Sequence, residues 1–363
     1  MLKDYSFPKI LILVLLPAVS LTCIPIYIYI NGIVWQEPVI LIMGWVLSGL
    51  GITIGYHRLF SHKAFKTHVF VEWIFMFLAS MAIQNTIVKW CSDHRRHHKK
   101  LDTDDDPYSI TEGFFHAHMG WLLYKEDTKV SGVSDLQKKS AVKFQSKYYA
   151  HIVLVSLFLP LIIGLFYHRP IGAMLWGGIL RITLVHHFTW FVNSLAHFIG
   201  RRNYDLHTSA RDSWITSIFT FGEGYHNYHH TFQWDYRNGV RWYNFDPSKW
   251  VIRVLSYFNI TYDLRRASDY NIFKARFKTL NDKINSFSHN QDNLIKIKEL
   301  NKKSLSELEL WRILEKKYES LKKTSVDKYE KLDLIKKMKN HQLELEKYMS
   351  LLTVILMNLR NYH

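Results

Sequence analysis

Four groups of histidine punctuate this sequence at spacings that could hold metal. They are His57-Arg58-Leu59-Phe60-Ser61-His62, His94-Arg95-Arg96-His97-His98, Asn193-Ser194-Leu195-Ala196-His197 and His226-Asn227-Tyr228-His229-His230. In the two HxxHH groups, positions i, i+3 and i+4 share one helical face, so three imidazoles converge. His57 and His62 sit about 140° apart on a regular helix. A helix end must fall between them, or they embrace a metal from two sides. Nine imidazoles exceed what one ion can hold and suit two ions, with about four or five ligands each. Neutral imidazole suits iron, copper, zinc and nickel. A structural zinc closes its shell with four ligands, so nine histidines favour two irons with open positions that can bind and reduce dioxygen.

The chain has 20 histidines in 363 residues. His68, His116, His118, His151, His168, His207, His289, His341 and His363 have no convergent spacing and read as surface or packing residues. His186 and His187 lie inside an apolar run, where a polar side chain is a functional suspect. They too read as packing residues.

The elements that must position the four groups are membrane helices. Residues 10–30, 34–56, 148–167 and 171–192 are each apolar and long enough to cross a hydrocarbon core of about 30 Å. Short turns at Asn31-Gly32-Ile33 and His168-Arg169-Pro170 make two antiparallel hairpins. A fifth apolar stretch, Val69 to Val88, has histidine groups on both flanks. Crossing would put them on opposite faces of the membrane, so it reads as a partly inserted or surface-lying helix. Lys89 to Lys147 holds 11 Lys and Arg, whereas Arg169 is the only basic residue in the opposite turns. Positive-inside asymmetry places both termini and every histidine group in the cytoplasm, at the inner membrane of a bacterium or the endoplasmic reticulum of a eukaryote.

Hydrophobic residues at 48% and aromatics at 15% exclude a disordered chain. Two cysteines, Cys23 and Cys91, exclude a disulfide scaffold or a cysteine-ligated cluster. The net charge of +16 would suggest nucleic acid on a soluble domain. Beside membrane spans it argues against nucleic acid and for anionic lipid, at about 1 kcal/mol per basic residue near the surface.

The strings around the histidines carry a resemblance. Gly55 to Lys63, Trp90 to His98, Gly120 to Leu123, Asn193 to His197 and Gly222 to Phe232 resemble the membrane fatty acyl desaturases, in particular their acyl-CoA Δ9 (stearoyl-CoA-type) branch. The likeness covers about residues 10 to 270. It implies an all-α integral membrane protein of mushroom-like form, with four transmembrane helices under a cytosolic helical cap that holds a diiron centre. It implies as metal ligands His57, His62, His94, His97, His98, His197, His226, His229 and His230, with Asn193 reaching a metal through water. It also implies an O2-dependent oxidoreductase that inserts a cis double bond into the acyl chain of a long-chain acyl-CoA, for unsaturated fatty acid synthesis. Two electrons would come from cytochrome b5 or a ferredoxin-type carrier.

Selecting one methylene among near-identical neighbours cannot rest on burial alone, because each CH2 contributes only about 0.8 kcal/mol. Position must come from a closed, bent tunnel. The resemblance assigns the bend to Gln84, Trp90, Thr189 and Trp190, and the floor to Gly49 and Trp45. Animal members have tyrosine where this chain has Trp45, so the larger indole is expected to shorten the preferred chain. Head-group positions depart from the pattern: Ser92 stands where an arginine is expected, and Tyr124-Lys125-Glu126 stands where a basic pair is expected, with Lys125 still able to meet a phosphate. Acyl-lipid or acyl-carrier-protein substrates, and hydroxylation of an acyl chain or alkane on the same scaffold, stay open. From another class, a metal carrier would need polar ligands along a path through the membrane.

Residues 1–273 read as the membrane domain. Residues 274–363 carry 20 basic and 12 acidic residues with no proline or glycine, outside the family pattern. Ile335, Met338, Gln342, Leu345, Met349, Leu352, Leu356 and Leu359 alternate at three and four, a heptad spacing. Leu310, Leu314 and Leu321 fit a separate helix, with Ser325 as a cap between them. A charged helical hairpin or a coiled coil would both fit, for self-association, for docking or as a solvated helical appendage. Asp102 to Asp106 lacks the glycine of a calcium loop and reads as a turn or cap.

Overall fold

The computed structural model describes residues 5–124, 129–287, 291–322 and 328–361. Lys125, Ser325, His289 and His363 lie outside them. The chain divides into two compact units, Met1–Arg201 with Thr208–Arg266, and Arg202–His207 with Ala267–His363.

In the first unit, α1 (Phe7–Asn31) has Pro8 in its first turn, where a missing N–H costs nothing, and stops where Gly32 takes φ 67°. α2 (Gln36–Leu50) runs on without a break as a π-helical segment, Gly51–Ser61. β1 (Lys66–Thr67) leads to α3 (Val69–Ser80), and α4 (Ile87–Lys100) to the short α5 (Phe114–His118). α6 (Ser140–Leu165) kinks at Tyr148. α7 (Pro170–Ala173) continues through a second π-helical stretch, Met174–Leu180, into α8 (Arg181–Asn193) and α9 (Leu195–Phe198). α10 (Trp214–Phe219), α11 (His226–Thr231) and α12 (Pro247–Tyr257) follow. β2 (Thr261–Tyr262) then pairs antiparallel with β1.

Four helices are long and apolar enough to cross a membrane: Phe7–Asn31, Gln36–Ser61, Ser140–Leu165 and Pro170–Phe198. Large apolar side chains on them, such as Leu21, Tyr29, Val155 and Phe166, face outward, as lipid contact requires. The second helix outruns the apolar stretch because all eleven residues of its π-helical end are buried. There His57 and Arg58 find protein partners. The kink at Tyr148 separates a polar first stretch from the apolar body of α6.

The stretch from Val69 to Val88 does not form one helix. α3 stops at Ser80, Ile83 and Asn85 take φ 54° and 76°, and Thr86 caps α4 by accepting from Lys89 N. α3 packs hard on the π-helical segment: a Cβ on Gly51 would lie 2.4 Å from Ala79 N, so only glycine fits.

The second unit contains α13 (Asp269–Asn285), α14 (Gln291–Lys322) and α15 (Lys328–Asn361) around one core. Leu345, Met349, Leu352, Leu356 and Leu359 are buried there, as the heptad spacing anticipates. Leu310 and Ile335 are exposed; Leu308, Trp311 and Leu334 are buried instead. The reason is a third helix. Phe273 of α13 packs its ring 5.4 Å from that of Trp311, so the unit is a three-helix bundle rather than a two-helix seam.

Candidate metal centre

Distant stretches of chain deliver the nine histidines to one place, as two groups. His57, His62, His94, His98 and His229 form the first; His97, His197, His226 and His230 form the second. Within each group one nitrogen from every ring lies within 4.8 Å of the others. The division cuts across the sequence groups, since His97 parts from His94 and His98. π-helical winding settles the pair five residues apart. Bonding to the fifth residue widens the turn and brings such positions onto one face, and the rings of His57 and His62 stand 4.7 Å apart.

Carboxylates and hydroxyls hold the outer nitrogens. His97 Nδ1 donates to Asp106 Oδ1 at 2.8 Å. His197 Nδ1 lies 2.7 Å from Ser209 Oγ, which donates to Asp102. His57 Nδ1 lies 2.9 Å from Glu223 Oε2. Such partners keep the proton on Nδ1 and leave the Nε2 lone pair facing inward. Arg58 sits fully buried behind this shell, 3.0 Å from Glu223 and 2.9 Å from Asp246, and joins the first histidine group to the last. Burial alone would raise Glu223, but His57 and Arg58 outweigh it and hold the carboxyl below its ordinary 4.5.

The inner nitrogens fit a cation and fit each other badly. His229 Nε2 lies 3.0 Å from both His57 Nε2 and His98 Nε2, and His226 Nε2 lies 3.0 Å from His230 Nε2. A single ring proton on His229 satisfies one neighbour at most. His197 Nε2 is buried with no hydrogen-bond partner among the described residues. A metal ion in each group would satisfy all of them together. Burial, reinforced by neighbouring imidazoles, holds His62, His94, His98, His226, His229 and His230 well below the ordinary 6.5. These rings are neutral at physiological pH, the form that binds metal.

Against the histidines lies a cavity of about 280 Å³ with a mostly apolar wall. Gln84, Trp90, Thr189, Trp190, Trp45, Gly49 and Asn193 all line it, together with His57 and His94. Gln84 Nε2 donates to Thr189 Oγ1 at 2.9 Å and bridges the wall. Trp45 precedes His57 by 12 residues, so the cavity follows the second span for roughly 15 Å from the metal centre. Phe221 and Phe188 pack on Trp45 at ring distances of 5.0 and 5.7 Å. A Cβ on Gly49 would come 2.1 Å from the Phe221 ring, so glycine there makes room for that floor. Ser92 is buried and hydrogen-bonded to Ser131, away from the lining. His186 donates to Ala82 O, while His187 meets His118, so both histidines have partners in the packing.

Sequence reasoning missed Asp102, Asp106, Ser209, Glu223 and Phe221. Two of them carry a signal: Asp102 and Asp106 belong to an acidic run that begins four residues after His98, although its pattern points only to a turn or cap. Glu223 stands three residues before His226 in the fourth string, without a spacing that assigns it to His57.

A fatty acid desaturase family model matches residues 34–265. A probable acyl-CoA desaturase of Schizosaccharomyces pombe is 41% identical over 239 residues, which is 64% of this chain and 50% of the relative. Stearoyl-CoA desaturase 5 of Bos taurus is 37% identical over 247 residues, 65% of this chain and 73% of the relative. An sn-1 stearoyl-lipid 9-desaturase of Anabaena variabilis is 33% identical over 232 residues, 63% of this chain and 84% of the relative. The match thus spans about half the length of the Schizosaccharomyces pombe protein and of its Saccharomyces cerevisiae counterpart.

Proposed function

The chain belongs to the fatty acid desaturase family, and from that premise we propose that it is a membrane diiron acyl-CoA desaturase that inserts a cis double bond, at Δ9, into a saturated acyl chain. The observation that carries the reading is the position of the two imidazole groups: most of their rings are buried, and His57 and His94 of the first also line a mostly apolar cavity.

Two irons held by the five- and four-histidine groups would supply an oxidant for an unactivated C–H bond, which no acid–base side chain can deprotonate. The protein does the rest. Asp106 and Glu223 orient His97 and His57 through Nδ1. Burial keeps the rings neutral and water out. Asn193, at the end of α8 and on the cavity wall, would hold a water beside the histidines. Trp90, Trp190 and the Gln84–Thr189 bridge bend the path, so one methylene pair faces the metal centre in a cis-like conformation. Trp45, backed by Phe221, ends the path and limits chain length. The reaction takes a CH2–CH2 pair, dioxygen, two electrons and two protons to CH=CH and two waters. A separate carrier of the cytochrome b5 or ferredoxin type would deliver the electrons. Basic flanks put the centre on the cytoplasmic side, against anionic lipid.

A second reading, an acyl-lipid substrate, is favoured by the cavity mouth. Lys89 and Arg96 are engaged by Asp93 on the lining, and Lys9 is the one lysine or arginine among the described lining residues. The Anabaena variabilis relative is named for a lipid substrate. Expression in a host unable to make unsaturated fatty acids tests both readings. Restored growth with a mapped Δ9 bond is expected. An alcohol without an alkene would reject desaturation. Feeding purified membranes with acyl-CoA or with labelled lipid separates the two carriers.

A further inference from the structure

We infer that Arg181 and His186, on the fourth span, clamp the loop between α3 and α4 and so fix which methylene faces the histidines. The loop role in the reaction rests on the desaturase reading above; the clamp itself does not.

The loop is under backbone strain. Ile83 takes φ 54° and Asn85 φ 76°. A β-branched residue in the left-handed region is an outlier, and it persists only where the surroundings hold it. Ile83, Gln84 and Asn85 are also consecutive residues of the cavity wall, so the strained backbone and the substrate path are one surface.

What holds the loop comes mostly from α8. Arg181 donates through Nη1 to Met81 O and through Nε to Gly177 O at 2.6 Å. His186 Nε2 lies 2.9 Å from Ala82 O, and Thr189 accepts from Gln84. Tyr56 OH, from the second span, donates to Asn85 O at 3.1 Å. Successive carbonyls of the loop are thus gripped from two membrane helices.

Arg181 is an expensive way to hold a loop. It is 1% exposed inside an apolar span, its recorded partners are carbonyls, and its Nη2 has no partner among the described residues. An ionised residue at such a site marks function by default. Its charge also meets the carbonyl end of α3, which stops beside the cavity, where a cation is favoured. The second span makes room for it: a Cβ on Gly44 would lie 2.5 Å from Arg181 Cδ. Gly44 is not itself among the residues that line the cavity or form the histidine groups, which gives an indirect handle on the clamp.

Two readouts on the full-length protein test this. The variants are His186→Leu, Arg181→Lys, Gly44→Ala and Ile83→Gly, each compared with wild type at equal protein level and equal bound iron. Hydrogen exchange of the amides between Met81 and Thr86 reads the clamp without reference to any reaction, and should speed up about tenfold or more in the first three. In membranes supplied with a saturated acyl substrate, the ratio of displaced to principal double-bond isomers should rise about tenfold in all four, the scale on which a pocket distinguishes one methylene. A residue needed only for folding would lower protein level and leave that ratio alone. Should Arg181→Lys fail to accumulate, Gly44→Ala and His186→Leu decide. Wild-type exchange at residues 81–86 in these variants overturns the clamp. Faster exchange with an unchanged isomer ratio overturns its role in register. A wild type that forms no alkene refutes the desaturase reading instead, and the exchange result still decides the clamp.

Discussion

Asp106→Ala should strip iron selectively from one half of the centre. Asp106 Oδ1 is 2.8 Å from His97 Nδ1, with the two side chains 1% and 3% exposed. Removing the carboxylate leaves a buried N–H without its acceptor, which costs about 1–3 kcal/mol, and frees the ring to turn its lone pair away from the metal. At about 1.4 kcal/mol per factor of ten, affinity of the four-histidine group should fall about 10- to 100-fold, the range usual for lost orienting partners. His57, His62, His94, His98 and His229 keep their positions, so the five-histidine group should still fill. Competition with a coloured chelator, followed by iron analysis, should find two irons per chain in wild type and one in the variant at low free iron. Asp106→Asn keeps an acceptor oxygen and loses the charge, and should fall between. Two irons bound to Asp106→Ala with wild-type affinity would refute the reasoning.

Trp45→Ala should lengthen the acyl chains found in the product, because the indole lines the cavity against Phe221 and, on the proposed reading, limits chain length; gas chromatography of the product pool checks it, and an unchanged length profile counts against the assignment. Arg58→Met should destabilise the metal-free protein by about 3–5 kcal/mol by stranding buried Glu223 and Asp246, visible as a large drop in Tm in detergent; an unaltered Tm contradicts it. Acid should unfold the metal-free protein. Seven of the rings, His197 included, are held well below 6.5, so above 6.5 neither state takes up protons there. Below 6.5 the unfolded chain binds protons that the folded one cannot, and stability falls by up to about 1.4 kcal/mol per pH unit for each ring. A Tm that stays flat from about pH 7 to about pH 5 would exclude this.

Much of the site is legible in the sequence because histidine is informative and apolar runs are long. All nine imidazoles converge, and the six residues that the resemblance assigns to the acyl path all line the cavity. The partition into five and four was not legible. Spacing tells which face of a helix a residue occupies, but not which neighbouring element that face meets, so His97 could not be parted from His94 and His98. The π-helical segment was hidden for a related reason: Gly51 to Ser61 has no composition that separates a turn closed at the fifth residue from one closed at the fourth. Asp106 reaches His97 across nine residues by way of a turn, a contact that no periodic pattern encodes. In the second unit the heptad run located α15 but misjudged its partners. Tyr270, Phe273 and Phe277 of α13 supply another apolar face, which draws in Leu308 and Trp311 and leaves Leu310 and Ile335 outside.

The central claim is that this chain holds two irons in separate imidazole cages beside an acyl path. Anomalous diffraction at the iron edge, from protein purified with iron under reducing conditions, tests it most directly. Two peaks per chain are expected, one among His57, His62, His94, His98 and His229 and the other among His97, His197, His226 and His230. A single peak, no iron, or a metal bound elsewhere would contradict it.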